Sequence, residues 1–321
     1  VHAKSGVELE RIQECNQYSY TRAKLRENSD YWDKWSRMWG GGADIGGVAP
    51  INAQCGAART NKIAIPLKVI SGLFEPTVKG MKMPPGLISG ARVEITLEKF
   101  ARAFGALVKP SGDTTSTSAT TYSVENPIIV CLAHELSDNS QMVLNEESVE
   151  NGLEYTYNRV FTDKQPLTSG TVNIQVKKAV AQGLRAFSVP IDSTKVSAQA
   201  EDGFNSDVPY DNYQFRIGSS YYPQQKVDSA VEGYWTTLNL YNKSPLSSWF
   251  NSTLSFDDYT GSTVIGAGFE TDQRLNLTGV PVNNSATLAL EATITPPGPV
   301  TWYTFFEYVA VSRSYLTRFK Q

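Results

Sequence analysis

Residues 171–177 read Thr-Val-Asn-Ile-Gln-Val-Lys, an uninterrupted alternation of polar and apolar side chains. Residues two apart on a strand share a face, so Val172, Ile174 and Val176 fall on one side and Thr171, Asn173, Gln175 and Lys177 on the other. A strand of this kind needs a core on one side and tolerates water on the other, as an antiparallel sheet provides and a fully covered parallel sheet does not. The same alternation runs through Arg92 to Glu98 (RVEITLE), which predicts a second half-buried strand.

Strand-length apolar runs recur along much of the chain. They occupy 127–132, 141–144, 153–160, 186–189, 213–217 and 234–240, and then 263–269, 287–295 and 301–311. Turn-rich pieces such as Thr295-Pro296-Pro297-Gly298-Pro299 separate them. Many short strands with turn signals between them, and few amphipathic helices, predict a mostly-β sandwich or barrel and disfavour a doubly wound α/β sheet. Shorter pieces at 63–67, 69–74 and 81–86 are broken by Pro and Gly, and 99–108 has room for a helical turn. The stretch 110–125 (PSGDTTSTSATTYSVE) carries almost no apolar side chains and reads as an exposed loop or linker.

The N-terminal part has a different character. Residues 7–39 hold Leu9, Ile12, Cys15 and Leu25 loosely at helical spacing among many charges, followed by Trp32, Trp35 and Trp39, and predict a helix. The glycines between Gly40 and Gly47 end it, because so much glycine disfavours regular structure entropically, and a loop is expected to about Asn61.

The side chains that chemistry requires are scarce. Only two histidines are present, His2 and His134; His134-Glu135 lacks the second histidine four residues on that a zinc peptidase needs. The glycine run at 40–47 is not followed by Gly-Lys-Ser/Thr, and no G-x-S-x-G elbow occurs. The acidic pairs Asp257-Asp258 and Glu146-Glu147 read as solvated surface, since neighbouring side chains point apart. Cys15, Cys55 and Cys131 are odd in number and far apart, which predicts buried free thiols rather than a disulfide framework or zinc site. The sequence thus predicts no enzyme, no catalytic, cofactor-binding or metal-ligating residue, and no cofactor.

With 29 basic against 32 acidic residues, a net charge of −3 and basic residues spread along the chain, there is no electrostatic footprint for nucleic acid. Val1-His2-Ala3-Lys4 is no signal peptide, and no apolar run approaches the roughly 20 residues of a membrane span. Four N-x-S/T sequons, at Asn242, Asn251, Asn276 and Asn283, lie in the last third and would mark surface loops in a secreted protein.

Two segments carry a resemblance. Ile65 to Leu97 (IPLKVISGLFEPTVKGMKMPPGLISGARVEITL) resembles a recurrent stretch of the double jelly-roll major capsid proteins of tailless icosahedral DNA viruses. There an Ile-Pro-Leu segment leads through a short excursion to a strand. Tyr213 to Val227 (YQFRIGSSYYPQQKV) is similar to a loop-and-strand segment of the second jelly roll, and the two long C-terminal strands also fit. The resemblance covers about a third of the chain. It implies tandem jelly rolls, here 1–147 with the helical and loop N-terminal excursion and 148–321. It further implies homotrimers acting as pseudo-hexamers, assembly inside a host cell into the shell of a virion, and contact with other virion proteins. An internal membrane is an expected neighbour, and nucleic acid is met only non-specifically. No family catalytic residue exists to be carried over.

The chain departs from that pattern in being short for two jelly rolls and in opening on helix and loop. A single jelly roll with long insertions is therefore the second architecture, with any basic arm preceding Val1. A viral spike or minor shell protein differs from the first reading in copy number only. The rival from another class is a secreted carbohydrate-binding or carbohydrate-cleaving β-sandwich, for which Trp235, Trp249 and Trp302 would supply a stacking platform.

Overall fold

The strands pair like one long hairpin rolled up on itself. In the computed structural model, which describes residues 1–3, 6–26, 64–75, 82–84, 90–98, 123–196, 208–241, 256–261, 263–269, 279–295 and 299–314, the strands are β1 (Leu153–Leu167), β2 (Thr171–Val176), β3 (Val180–Asp192), β4 (Tyr210–Ile217), β5 (Ser220–Val227), β6 (Ile265–Gly268), β7 (Val280–Val282), β8 (Leu288–Ile294) and β9 (Val300–Ser314). The first pairs with the last, β2 with β8, β3 with β6, and β4 with β5, all antiparallel. Further antiparallel ladders, β3–β9 and β4–β8, join these nested pairs into two sheets ordered β1-β9-β3-β6 and β2-β8-β4-β5, with short β7 also beside β3. Nested pairing divided between two facing sheets is the jelly roll, two Greek keys wrapped into a sandwich.

Between the sheets lies the main core. Val172, Ile174 and Val176 of β2 are buried there while Thr171, Asn173 and Gln175 stay exposed, as the alternation predicts. Phe215, Leu288, Leu290, Trp302 and Phe306 complete the filling, each fully enclosed. Burying side chains of this size contributes roughly 1.5–3 kcal/mol apiece, the largest favourable term available to the fold.

β3 and β9 are buried on both faces, and that is why they lack clean alternation. On β9, Trp302, Phe306 and Tyr308 point into the sandwich, whereas Tyr303 and Phe305 join Phe187, Val189 and Ile191 of β3 in a second core on the outer face. A helical layer covers that face. It comprises α1 (Cys15–Arg26), which contributes Tyr18 and Leu25, and the 3-10 turn Asn239–Tyr241, which contributes Leu240. A third, smaller cluster joins Leu9 and Leu73 to Tyr155 and Tyr157 of β1. The other helices among the described residues are α2 (Leu67–Ile70), followed by the 3-10 turn Gly72–Phe74, then α3 (Asp138–Glu150), α4 (Ser193–Val196), α5 (Ala230–Leu238) and α6 (Phe256–Gly261), the last adding Tyr259 to the second core.

Several expected elements differ. Of the helix expected within 7–39, Cys15–Arg26 is helical and residues 7–14 are not; residues 27–39, with Trp32, Trp35 and Trp39, and the glycine run lie outside the described residues. The short apolar piece at 69–74 forms helical turns. The runs at 141–144 and 234–240 fall in helices because each follows a capping serine: Ser137 accepts from the Ser140 amide and Ser229 from the Glu232 amide. The runs at 92–98 and 127–132 form no ladder; the first makes a single bridge, Arg92 with His2. Alternation records what a segment can pair with, and a strand exists only where a partner meets its amides.

Both sheets therefore lie within 153–314, inside the second of the two units expected from the sequence. Among the described residues of 1–147 there is no ladder strand, and α1 packs on the sheet of 153–314.

Candidate interaction surface

A buried carboxylate holds the helical layer down. Glu307 projects from the outer face of β9, directly across from Arg185 on β3. Its Oε1 accepts hydrogen bonds from the Tyr18 hydroxyl at 2.7 Å and the Tyr241 hydroxyl at 2.6 Å. The Arg185 guanidinium lies 3.3 Å from Oε2 and that of Arg22 lies 3.8 Å from Oε1. Burial by itself would raise the carboxyl's pKa, but the two guanidiniums and two phenolic donors outweigh it and hold Glu307 below the ordinary range.

The arginines extend this connection outward. Arg22 donates to the carbonyls of Lys68 (2.8 Å) and Val69 (3.1 Å) and to Glu75 (2.9 Å), which also binds Arg26. Arg185 donates to the Leu240 carbonyl at 2.7 Å, and its guanidinium lies over the Tyr241 ring. Each oxygen of Glu307 faces a cation or a donor, so the cluster fastens β9, β3, α1 and the turn Asn239–Tyr241 together.

Residues 8–14 run beside β1 and blunt its edge. Tyr157 donates to the Leu9 carbonyl (2.6 Å), Thr162 to that of Gln13 (3.0 Å), Arg159 pairs with Glu8 and Lys164 with Glu14 (2.8 Å each). Burial lifts the Tyr157 hydroxyl to about 12. Glu10 is buried here, accepting from the Ser71 hydroxyl, and desolvation pushes its carboxyl above the usual value. A segment lying along the edge in this way stands between it and another sheet.

The flank before β1 is the opposite case. Residues 123–137 have no ladder partner and stand in water together with α3, of which only Ser148 is buried among the side chains described. Ile128 is 81% exposed, Val130 86% and Leu132 85%, with Val124, Ile129, Leu136, Met142 and Val143 also exposed. Ile95 (72%) and Leu97 (51%) are bare in the same manner on the unpaired segment 92–98. Single apolar side chains on a surface are ordinary, but a contiguous series of them is the mark of an interface.

The residues weighed for chemistry are dispersed. His134 is exposed on this flank, and His2 bridges Arg92 with its imidazole 3.9 Å from Glu94. Among the described residues no group of His, Cys, Asp and Glu is arranged to hold a metal, and no helix is long and apolar enough to cross a membrane. Glu146 and Glu147 are exposed on α3, and Asp257 is exposed on α6 beside Asp258. Trp302 is core, Trp235 is exposed and Trp249 lies outside the described residues. Cys15 is half-buried beside Ser19, whereas Cys131 is exposed, contrary to expectation, because its whole segment is unpaired; Cys55 lies outside the described residues. Asn283 is exposed on the β7–β8 turn, its Oδ1 accepting from Ser285 and Ala286, and the sequons at Asn242, Asn251 and Asn276 fall outside the described residues.

Sequence reasoning passed over Glu307. The signal available was one acid inside the apolar run 301–311, since a charge there must be paired if the strand is covered.

No family model matches the chain, and no curated protein matches it. Among solved structures it is similar to the Faustovirus major capsid protein, at 6% identity and a TM-score of 0.41, covering 56% of this chain and 36% of that one. The major capsid protein P2 of bacteriophage PM2 aligns at 15% identity and a TM-score of 0.29, covering 51% and 47%. PBCV-1 VP54, as fitted into a reconstruction of the virophage Sputnik, aligns at 8% identity and a TM-score of 0.34, covering 57% and 55%. The chain thus spans between 36% and 55% of the length of these proteins. The first two are by name major capsid proteins. The jelly roll itself is given by the strand order alone.

Proposed function

We propose that this chain is a structural subunit of a viral capsid, associating with copies of itself into trimers and then into the shell around a genome. The observation that carries the reading is the exposed apolar flank at 124–143 beside a jelly roll whose interior is given over to apolar packing. Jelly rolls serve capsids, lectins and cupins. A flank of this kind favours the first, because burying it against further copies removes a cost that every isolated subunit bears.

The two-unit division at 147/148 belongs to the same proposal. Segments 92–98 and 127–132 are the strand material of a first unit whose ladders form on association. Other virion proteins and an internal membrane are the further partners, and a net charge of −3 leaves nucleic acid a non-specific contact only. The protein would be made in the host cell and end in the virion. The carbohydrate-binding alternative is weaker, because Trp302, one of the three side chains of its stacking platform, is core.

The test is to image the purified full chain by negative-stain electron microscopy as its concentration is raised. Three-fold capsomers or closed shells are expected. Featureless single subunits that bind or hydrolyse glycans on an array would overturn the proposal in favour of the carbohydrate reading.

A further inference from the structure

We propose that residues 127–133 are an assembly arm that pairs as an antiparallel strand with residues 92–98 of a second copy, with Val130 opposite Ile95. This deepens the shell reading and rests on it. Among the described residues neither segment belongs to a ladder, apart from the Arg92–His2 bridge, and each has at least seven residues in a row without helix. Within one subunit they do not pair with each other. Two strand-type segments on the same chain that belong to no ladder among the described residues suit a donor and an acceptor for strand addition, in which main-chain bonds supply affinity and alternate side chains supply register.

The register follows from the side chains. Setting Val130 against Ile95 places Leu132 opposite Val93 and Ile128 opposite Leu97, so the three most exposed side chains of the arm meet the apolar row of the acceptor. The arm, Pro-Ile-Ile-Val-Cys-Leu-Ala, is apolar on both faces, and this register is the one that covers its most exposed row, Ile128, Val130 and Leu132, whereas a slip of one residue would set that row against Arg92, Glu94, Thr96 and Glu98. Pro127, which has no N–H to donate, falls at the first position of the arm, where a strand tolerates it. When each copy gives one arm and receives one, the exchange closes within a ring.

In this register Cys131 lies opposite Glu94, and directly opposed antiparallel residues, about 4.5–5.5 Å apart at Cα, are within disulfide reach. Full-length E94C, brought to assembling concentration and mildly oxidised with copper-phenanthroline, is therefore expected to cross-link between copies on a non-reducing gel. E94C/C131S and I95C, whose new thiol points to the other face, are expected not to. As a second variant, V130D should raise the concentration needed for assembly by about tenfold or more, as loss of an interface anchor does, with the near-ultraviolet circular dichroism of the jelly roll unchanged. Assembled particles in which E94C fails to cross-link, or closes only within one chain, overturn the arm and leave the shell reading standing. A monomer at every concentration overturns both.

Discussion

Glu307 and Glu10 are both buried carboxyls near α1, and their surroundings push them in opposite directions. Glu307 sits between Arg185 and Arg22, so Glu307→Gln removes the buried charge that both guanidiniums face, with Arg22 keeping Glu75. The expected loss is roughly 3–5 kcal/mol, read from urea denaturation. Because its folded pKa is lowered, its stabilisation is present above the unfolded value and is lost as pH falls through the folded one. Glu10 is the reverse case. Desolvation raises its folded pKa, so its contribution is full below the unfolded value near 4.5 and is lost as pH rises through the raised one. Glu10→Gln should therefore melt higher than wild type at pH 8, with the advantage shrinking toward pH 4; an equal difference at both pH values would contradict the assignment.

At the scale of elements, close backbone contacts make a separate prediction. A Cβ on Gly72 would fall 1.8 Å from the Asn158 carbonyl oxygen of β1, so Gly72→Ala must push the turn Gly72–Phe74 off the strand. The expected cost is about 1–3 kcal/mol in denaturant titration, with faster proteolysis between 64 and 75. The helix α5 was legible and missed: Ser229-Ala230-Val231-Glu232 has the S-x-x-E spacing of a capping box, which outweighs the apolar run behind it. Replacing Ser229 with Ala should lower stability by about 1 kcal/mol. Strands β2, β8 and β9 could be read because composition and burial agree along them. Segments 92–98 and 127–132 read equally well as strands and form none here, since pairing depends on a partner strand that local sequence does not contain. The Glu307 cluster was unreadable for a related reason: Tyr18, Arg22, Arg185, Tyr241 and Glu307 are brought together by the roll of the chain, with hydrogen-bonded partners up to 289 positions apart.

As a whole, the molecule is a sandwich protected on one side and bare on another. The N-terminal helix and the turns at 67–74 seal one sheet and the β1 edge, while the flank at 123–143 and the segment 92–98 leave apolar side chains in water. Such a division suits a subunit that is stable alone and completed by its neighbours. The central claim is tested most directly by sedimentation velocity on the full chain over a wide concentration range. The account predicts a boundary that moves from the single subunit of 35.3 kDa to the trimer and faster-sedimenting shells as concentration rises. A single boundary at the monomer mass throughout would contradict it.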